Sequence, residues 1–422
     1  MKPLMPSSGS HDTREKMLRI VVYSILTIMV IVTTIPNYIE RVREGFVSIH
    51  VLQADAFLHG RLSVGDAHEL EAHELAVFEG KKYVHLPPFP AVVLMPFVAI
   101  WGMNTHFTYV GLSLALFAVV ILKRILEQLQ IDKEKIPWLI CAFVAGSAYW
   151  WCIRRSGTPW LTAHVVAVIC VLLAIHEALG KGRGFLTGMF LGMAILSRQL
   201  SVYSTIFLCC ALWNGGLNGT IALNRKRTLN IILFFMGTGI WISLYLAFNW
   251  ARFGSPFDTG YAYIPLGGFL KARVDQYGLF NIAYIPFNLT HMFLQGFHIV
   301  FGGGDMLTMK RLDMMGTSIT FASPFIFYAF RARWPKILHI GAWVTITFCL
   351  LHMMLYYNNG WNQRNCQRFT MDFMPVLILL VALGIDRAKS NLWKYAISYS
   401  VILNAVAHLV LPGIIKLQEF LS

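Results

Sequence analysis

The chain is short of charge. Only 13% of its 422 residues are Asp, Glu, Lys or Arg, where a soluble domain carries about a quarter, so an ordinary water-soluble fold is excluded. It also lacks cysteine patterning. Six of the seven cysteines (Cys141, Cys152, Cys170, Cys209, Cys210, Cys349) lie in or beside apolar runs, and Cys366 stands alone in a polar stretch. There is no CxxC pair, which argues against a disulfide scaffold or a zinc motif. No internal repeat is visible, and this weakens a transporter built from inverted halves. The first apolar run is too long for a cleaved signal peptide and has no small-residue cleavage site, so it reads as a retained anchor.

What is present is hydrophobic and basic. Apolar residues make up 56% and aromatics 14%, and the mean hydropathy is +0.58. The net charge of +14 suggests nucleic acid at first sight, but Lys and Arg sit in short clusters between apolar runs. That is the positive-inside pattern of membrane loops, and nucleic acid is not an expected partner.

The runs predict an all-α polytopic membrane protein, one transmembrane domain over residues 1–422, with about 11 spans (9–13) of roughly 20 residues each. The first runs from Met17 to Asn37, with Arg14, Lys16 and Arg19 placing the N-terminus in the cytoplasm. Residues 38–106 then form an outer loop. Within it, Phe46 to His59 has helical apolar spacing suited to the interface, with Gly60 as its stop. The apolar stretch Ala91–Trp101 is too short to cross and reads as re-entrant or interfacial. Further crossings fit Phe107–Leu122, Pro137–Ile153, Pro159–Leu179, Phe185–Leu196, Leu200–Trp213 and Leu229–Trp250. A second outer loop, 251–313, holds a partly buried helix at Phe287–Val300. Met314–Phe330, Ile337–Tyr357, Met371–Ile385 and Tyr395–Leu411 complete the set.

The acids are concentrated in the first outer loop. The stretch from Glu40 to Pro90 holds eight of the 21 acids against five bases, a net −3, which leaves +17 for the remainder. Three of these acids are candidate general bases: Asp55 on the interfacial helix, Glu44 three turns earlier on a similar face, and Glu74 in AHELAVFEGKKY. Composition does not separate them. Arg61, Arg155, Arg198, Arg252, Arg364 and Arg368 fall at outer span ends or in outer loops, against the positive-inside bias. Guanidinium binds phosphate in a forked geometry. Arg198 stands out, since an ionisable residue between two spans marks a functional site. The stretch from Glu40 to Pro90 also holds five of the 14 histidines: His50, His59, His68, His73 and His85. None are paired as HxxxH, so a divalent metal is a minor expectation, resting on His68 and His73 with Glu69 and Glu74, and no cofactor is assigned.

These landmarks carry a resemblance. FLHGRL, then HELAVFEGKKYVHLPPFPAVVLMPFVAIWG, AILSRQL, LAFNWARFGSPFDTGY and YYNNGWNQRNCQRFTMDFMPVLILL together resemble bacterial GT-C membrane glycosyltransferases. The branch is that of dolichyl-phosphate-mannose protein mannosyltransferases and the aminoarabinose transferase, over about residues 55–380. The resemblance implies a GT-C-like helix bundle in a bacterial inner (plasma) membrane. It also implies inverting transfer of a sugar from a polyprenyl-phosphate donor to a lipid, glycan or protein acceptor on the outer face. An acid of the first outer loop, Asp55 or Glu74, is then the base, and Arg61, Arg198 and Arg368, with Arg364 and Arg155 as further candidates, hold the phosphate. Relatives often begin the interfacial helix with an Asp-Glu pair; here the nearest acid is Glu44. The competing function is a transporter or flippase for a lipid-linked or anionic substrate, which would place polar residues near the middle of several spans.

Overall fold

The computed structural model describes residues 8–66, 74–217 and 224–421. His68, Glu69 and His73, on which the metal expectation rested, lie outside the described residues. Seventeen α-helices are named here in chain order. They are α1 (Ser8–Arg43), α2 (Ile49–Leu58), α3 (Phe89–Trp101), α4 (Phe107–Gln128), α5 (Ile136–Val144), α6 (Tyr149–Arg154), α7 (Pro159–Leu179), α8 (Gly184–Ile195) and α9 (Ser204–Asn214). The remainder are α10 (Asn224–Phe253), α11 (Gly268–Tyr277), α12 (Ile285–Leu289), α13 (Ile319–Ala322), α14 (Lys336–Leu355), α15 (Met374–Asp386), α16 (Leu392–Ala405) and α17 (Leu411–Leu421). Among the described residues five helical stretches are long and apolar enough to cross a membrane: α4, α7, most of α10, α14, and the run from α16 through α17.

The centre of the bundle is α7. It is buried along most of its length, with α4 on one flank and α8 on another. Such all-round burial explains why Pro159–Leu179 is apolar on every face rather than amphipathic. Helices α8 and α10 approach more closely than ordinary side chains permit. A Cβ on Gly184 would lie 1.9 Å from the Asn230 carbonyl oxygen, and one on Gly188 2.0 Å from that of Phe234. Gly184, Gly188 and Gly192 are spaced four apart, so one face of α8 is a small-residue groove of the kind that packs membrane helices. Gly188→Leu is expected to force the pair apart and lower stability by about 1–3 kcal/mol, read as a drop in the thermal midpoint of the detergent-purified protein.

Several expected spans are interrupted. Pro137–Ile153 divides into α5 and α6 around residues 145–148, and the carbonyl freed at Ala145 accepts a 2.7 Å hydrogen bond from Asn404 Nδ2. A break at membrane depth persists when neighbouring side chains satisfy it in this way. Met314–Phe330 is not one helix. It opens with a turn at Gly316 (φ 78°), where a Cβ would strike Gln363 at 2.5 Å, and Thr317 N–H donates to the Asn365 carbonyl at 2.7 Å. Only α13 and a 3₁₀ stretch, Pro324–Arg331, follow. The Phe287–Val300 helix begins earlier, at α12, passes into a π-turn at Thr290–Leu294, and gives way to a strand.

Two hairpins add to the helices. β1 (Leu75–Phe78) pairs with β2 (Lys81–Val84), closed by Glu79 and Gly80, both at positive φ, as a two-residue hairpin turn requires. β3 (Ile299–Gly302) pairs with β4 (Thr308–Leu312) across a bulge.

The helix expected over Phe46–His59 is present, with a shifted start, as α2. Gly45, at φ 61°, ends α1, and Ser48 caps α2, its Oγ accepting from the His50 N–H. Glu44 therefore lies in the turn before α2, exposed, and not on a shared helical face with Asp55. Gly60, at φ 67°, follows the last turn as expected.

Helix α2 packs through His50, which is fully buried, its Nε2 3.3 Å from the Pro159 carbonyl oxygen at the start of α7. Burial pushes the His50 imidazole down to about 4, the Pro159 contact opposing the shift. The folded state thus prefers neutral His50, while an unfolded chain takes up the proton near pH 6.5. Stability from this group is full above pH 6.5, is lost as pH falls toward 4, and is constant below. Thermal midpoints should drop on acidification by the equivalent of roughly 2–3 kcal/mol at pH 4.5, and His50→Gln should blunt the drop.

Candidate active site

The polar chemistry gathers at one end of the bundle, where α1 and α10 finish, α7 begins, and the β1–β2 hairpin and the loop 356–373 meet. At its centre Arg198 pairs with Asp372. Arg198 follows α8 and caps a 3₁₀ turn, and Asp372 lies just before α15. They form a fork: Nε donates to Oδ1 at 3.0 Å and Nη2 to Oδ2 at 2.7 Å. The Asp372 side chain is 1% exposed and that of Arg198 16%. A buried charge needs such an answer. The fork uses Nε and Nη2, so Nη1 is not committed to Asp372. His164, on α7, places Nδ1 3.6 Å from Asp372 Oδ1, and its Nε2 is buried without a hydrogen-bond partner.

Beside this pair lies Arg368. Its guanidinium sits over the Trp160 ring at 4.9 Å, and its Nε is buried with no hydrogen-bond partner. Burial, with Arg198 close by, pushes it down to about 10, so it remains charged at neutral pH. The same Trp160 donates Nε1–H to Glu74 Oε2 at 3.0 Å. One tryptophan thus holds a carboxylate at its edge and a guanidinium on its face.

The hairpin fixes Glu74 from the other side. His85 Nδ1 lies 2.7 Å from the Glu74 carbonyl oxygen, and burial holds the His85 imidazole below its usual range, against the pull of the Glu74 charge. Tyr261 packs edge-on to His85 at 4.8 Å and feels the charges of both Arg198 and Glu74. Arg252 anchors the hairpin to α10: Nη1 donates to the Val84 carbonyl at 2.6 Å and Nη2 to Asn249 Oδ1 at 2.8 Å, with the Phe248 ring beneath it at 3.8 Å. Its role is to clamp the end of β2, just before His85.

The structure therefore sorts the candidates. Glu74, Arg198 and Arg368 come together. Asp55 does not join them: its carboxylate meets Arg61 Nη2 at 3.0 Å and His59 Nδ1 at 3.4 Å, on the open side of α2. Arg61 is spent on that pair, and its side chain is 51% exposed, where such pairs contribute little. Glu44 is exposed in its turn. Arg155 and Arg364 form a different group around Trp151, at 5.8 and 5.5 Å from its ring.

Asp372, His164 and Trp160 were not picked out from the sequence. The first two carried a readable signal, since each is an ionisable residue inside an expected span, the same reason that marked Arg198. Trp160 carried none. Among the described residues no three His, Cys, Asp or Glu side chains are grouped to hold a metal.

No family model matches the chain, and no curated protein does. Among solved structures it is similar to ArnT from Cupriavidus metallidurans bound to undecaprenyl phosphate, with 12% identity and a TM-score of 0.51. The likeness is one of fold: the helix bundle of this chain is that of ArnT. The likeness covers 89% of this chain but 61% of ArnT, so the chain spans less than two thirds of that protein's length. The five apolar helical stretches, together with this likeness of fold, support an integral membrane protein.

Proposed function

We propose that the chain is an inverting glycosyltransferase that moves a sugar from a polyprenyl-phosphate donor to an acceptor hydroxyl on the outer face of the membrane. The observation that carries this reading is the convergence of Glu74, Arg368 and the Arg198–Asp372 fork at one end of a fold shared with ArnT, which is bound to undecaprenyl phosphate.

Glu74 is the base. Its carboxylate accepts the acceptor's hydroxyl proton as that oxygen attacks the anomeric carbon. The bond from that carbon to the phosphate oxygen breaks on the opposite face, and polyprenyl phosphate leaves with the electron pair. Arg368 and Arg198 stabilise the charge that develops on the leaving phosphate, a preorganised contribution because both guanidiniums are already held in place. The buried, unpartnered Nε of Arg368 and the uncommitted Nη1 of Arg198 are the donors available for it. Trp160 orients Glu74, and His164 supports Asp372. Inversion requires one base, and the site supplies one.

The test is a reconstituted reaction. Proteoliposomes holding the purified chain are given a panel of polyprenyl-phosphate-linked hexoses and pentoses with a cell-envelope extract, and release of free polyprenyl phosphate is followed. Sugar moved covalently to an envelope component supports the reading. Uptake into the vesicles without covalent transfer would replace it with a transporter. Trp160→Phe keeps a ring under Arg368 but removes the donor to Glu74, and it should lower kcat by about tenfold with little change in donor KM, as loss of one hydrogen bond to a charged group implies.

A further inference from the structure

Helix α6 has a second charged face. Arg154, Arg155 and Arg364 all surround the Trp151 ring, their guanidinium carbons 5.9, 5.8 and 5.5 Å from its centroid. His408, from the π-turn after α16, stacks on the same ring at 5.6 Å with 12° between the planes. Three cations share one aromatic, and Arg154 among them feels the charge of Glu40, on the exposed surface of α1.

Arg198 is answered by Asp372, and two nitrogens of Arg252 by a carbonyl and an amide oxygen. Around Trp151 several buried donors have no such answer. Arg154 Nε and Nη1 are buried with no hydrogen-bond partner, and so are Trp151 Nε1 and the ring nitrogen Nδ1 of His408, a residue 2% exposed. Arg155 is oriented by Asn37, whose Oδ1 accepts from its Nη1 at 2.8 Å while Asn37 Nδ2 donates to the Arg154 carbonyl at 3.1 Å. Like charges this close, with unspent donors, are stable when an anion with several acceptor oxygens sits among them. A phosphate meets that need.

The surroundings identify its source. Ile35, Ile39 and Val42 on α1, and Val410 beside His408, are all more than 40% exposed. In a membrane-embedded bundle these side chains face acyl chains, so the arginines stand where apolar helix surface ends and headgroups begin. We propose that Arg154, Arg155 and Arg364, with Trp151 and His408, form a second phosphate site that takes the headgroup phosphate of an anionic lipid. It is separate from the Glu74–Arg368 site and lies across α6 from it. Cys152, the next residue on α6, feels Arg368, Arg198 and Asp372 instead, and Arg364 and Arg368 sit on one loop, a helical turn's length apart in sequence. The site stands whether or not the chain transfers sugars.

The experiment is native mass spectrometry of the full chain in a neutral detergent, titrated with dioleoyl phosphatidylglycerol, dioleoyl phosphatidylcholine or sodium phosphate. The wild type should retain phosphatidylglycerol in preference to phosphatidylcholine. Arg154→Gln with Arg364→Gln should weaken phosphatidylglycerol retention by about tenfold, since charged hydrogen bonds are lost, whereas Arg368→Gln should leave it unchanged. The conservative pair Arg154→Lys with Arg364→Lys keeps the charge and should keep the preference, which separates loss of the site from loss of the fold. Equal retention by wild type and the Gln pair overturns the proposal. So does binding of sodium phosphate with no preference for anionic lipid, which would assign the arginines to a free anion.

Discussion

Glu74→Gln is expected to reduce sugar transfer by about 10²–10⁴-fold, the range a positioned general base supplies. The amide retains an oxygen for the Trp160 Nε1–H, so the hairpin and the fold should remain intact and donor binding should change little. Asp55→Asn and Glu44→Gln are expected to stay close to wild type, because neither side chain is joined to the arginine site: Asp55 is engaged by Arg61 and His59, and Glu44 lies exposed in the turn before α2. The measurement is kcat and donor KM for all three variants at matched expression, with thermal midpoints as a control for folding. A large loss in Asp55→Asn with full activity in Glu74→Gln would move the base to α2.

The second large effect concerns stability. Asp372→Ala removes the one carboxylate hydrogen-bonded to Arg198 among the described residues and leaves a guanidinium in a site where the pair is nearly dry. Breaking a buried pair from one side costs about 3–5 kcal/mol. Replacing both partners, Arg198→Met with Asp372→Leu, should recover most of that loss, since an apolar pair of similar volume avoids the desolvated charge. Activity should not recover, because Arg198 is also proposed to hold the leaving phosphate. Thermal unfolding of the single and double variants, run as a double-mutant cycle, gives the coupling directly. A double variant less stable than Asp372→Ala would show that the fork contributes more than charge balance.

Much of the architecture could be read from apolar run length and loop charge, because a membrane imposes both. Helix α2 with its Gly60 stop, the short α3, and the central apolar run of α7 were all visible in that way. The interruptions were not. Pro137–Ile153 is apolar from end to end, and its break depends on Asn404 reaching Ala145 from far along the chain. The turn at Gly316 depends likewise on the 363–366 loop. Long-range partners leave no local trace in composition.

The site was half legible for a related reason. Unusual charge can be seen in a sequence, so the acidic loop and the outer arginines stood out. Which acid faces which arginine is decided by the β1–β2 hairpin and by Trp160, and neither has a charge signature. Three bases therefore looked equivalent until the hairpin turned Glu74 inward. Five arginines looked like one phosphate site, but Arg61 pairs with Asp55, and Arg155 and Arg364 gather at Trp151 of α6, apart from Arg198 and Arg368.

The most direct test of the central claim is the lipid inventory of a strain lacking this chain. One polyprenyl-phosphate sugar should accumulate, and wild-type protein should clear it while Glu74→Gln, expressed to the same level, should not. An unchanged inventory, or clearance by Glu74→Gln as complete as by wild type, would contradict the account.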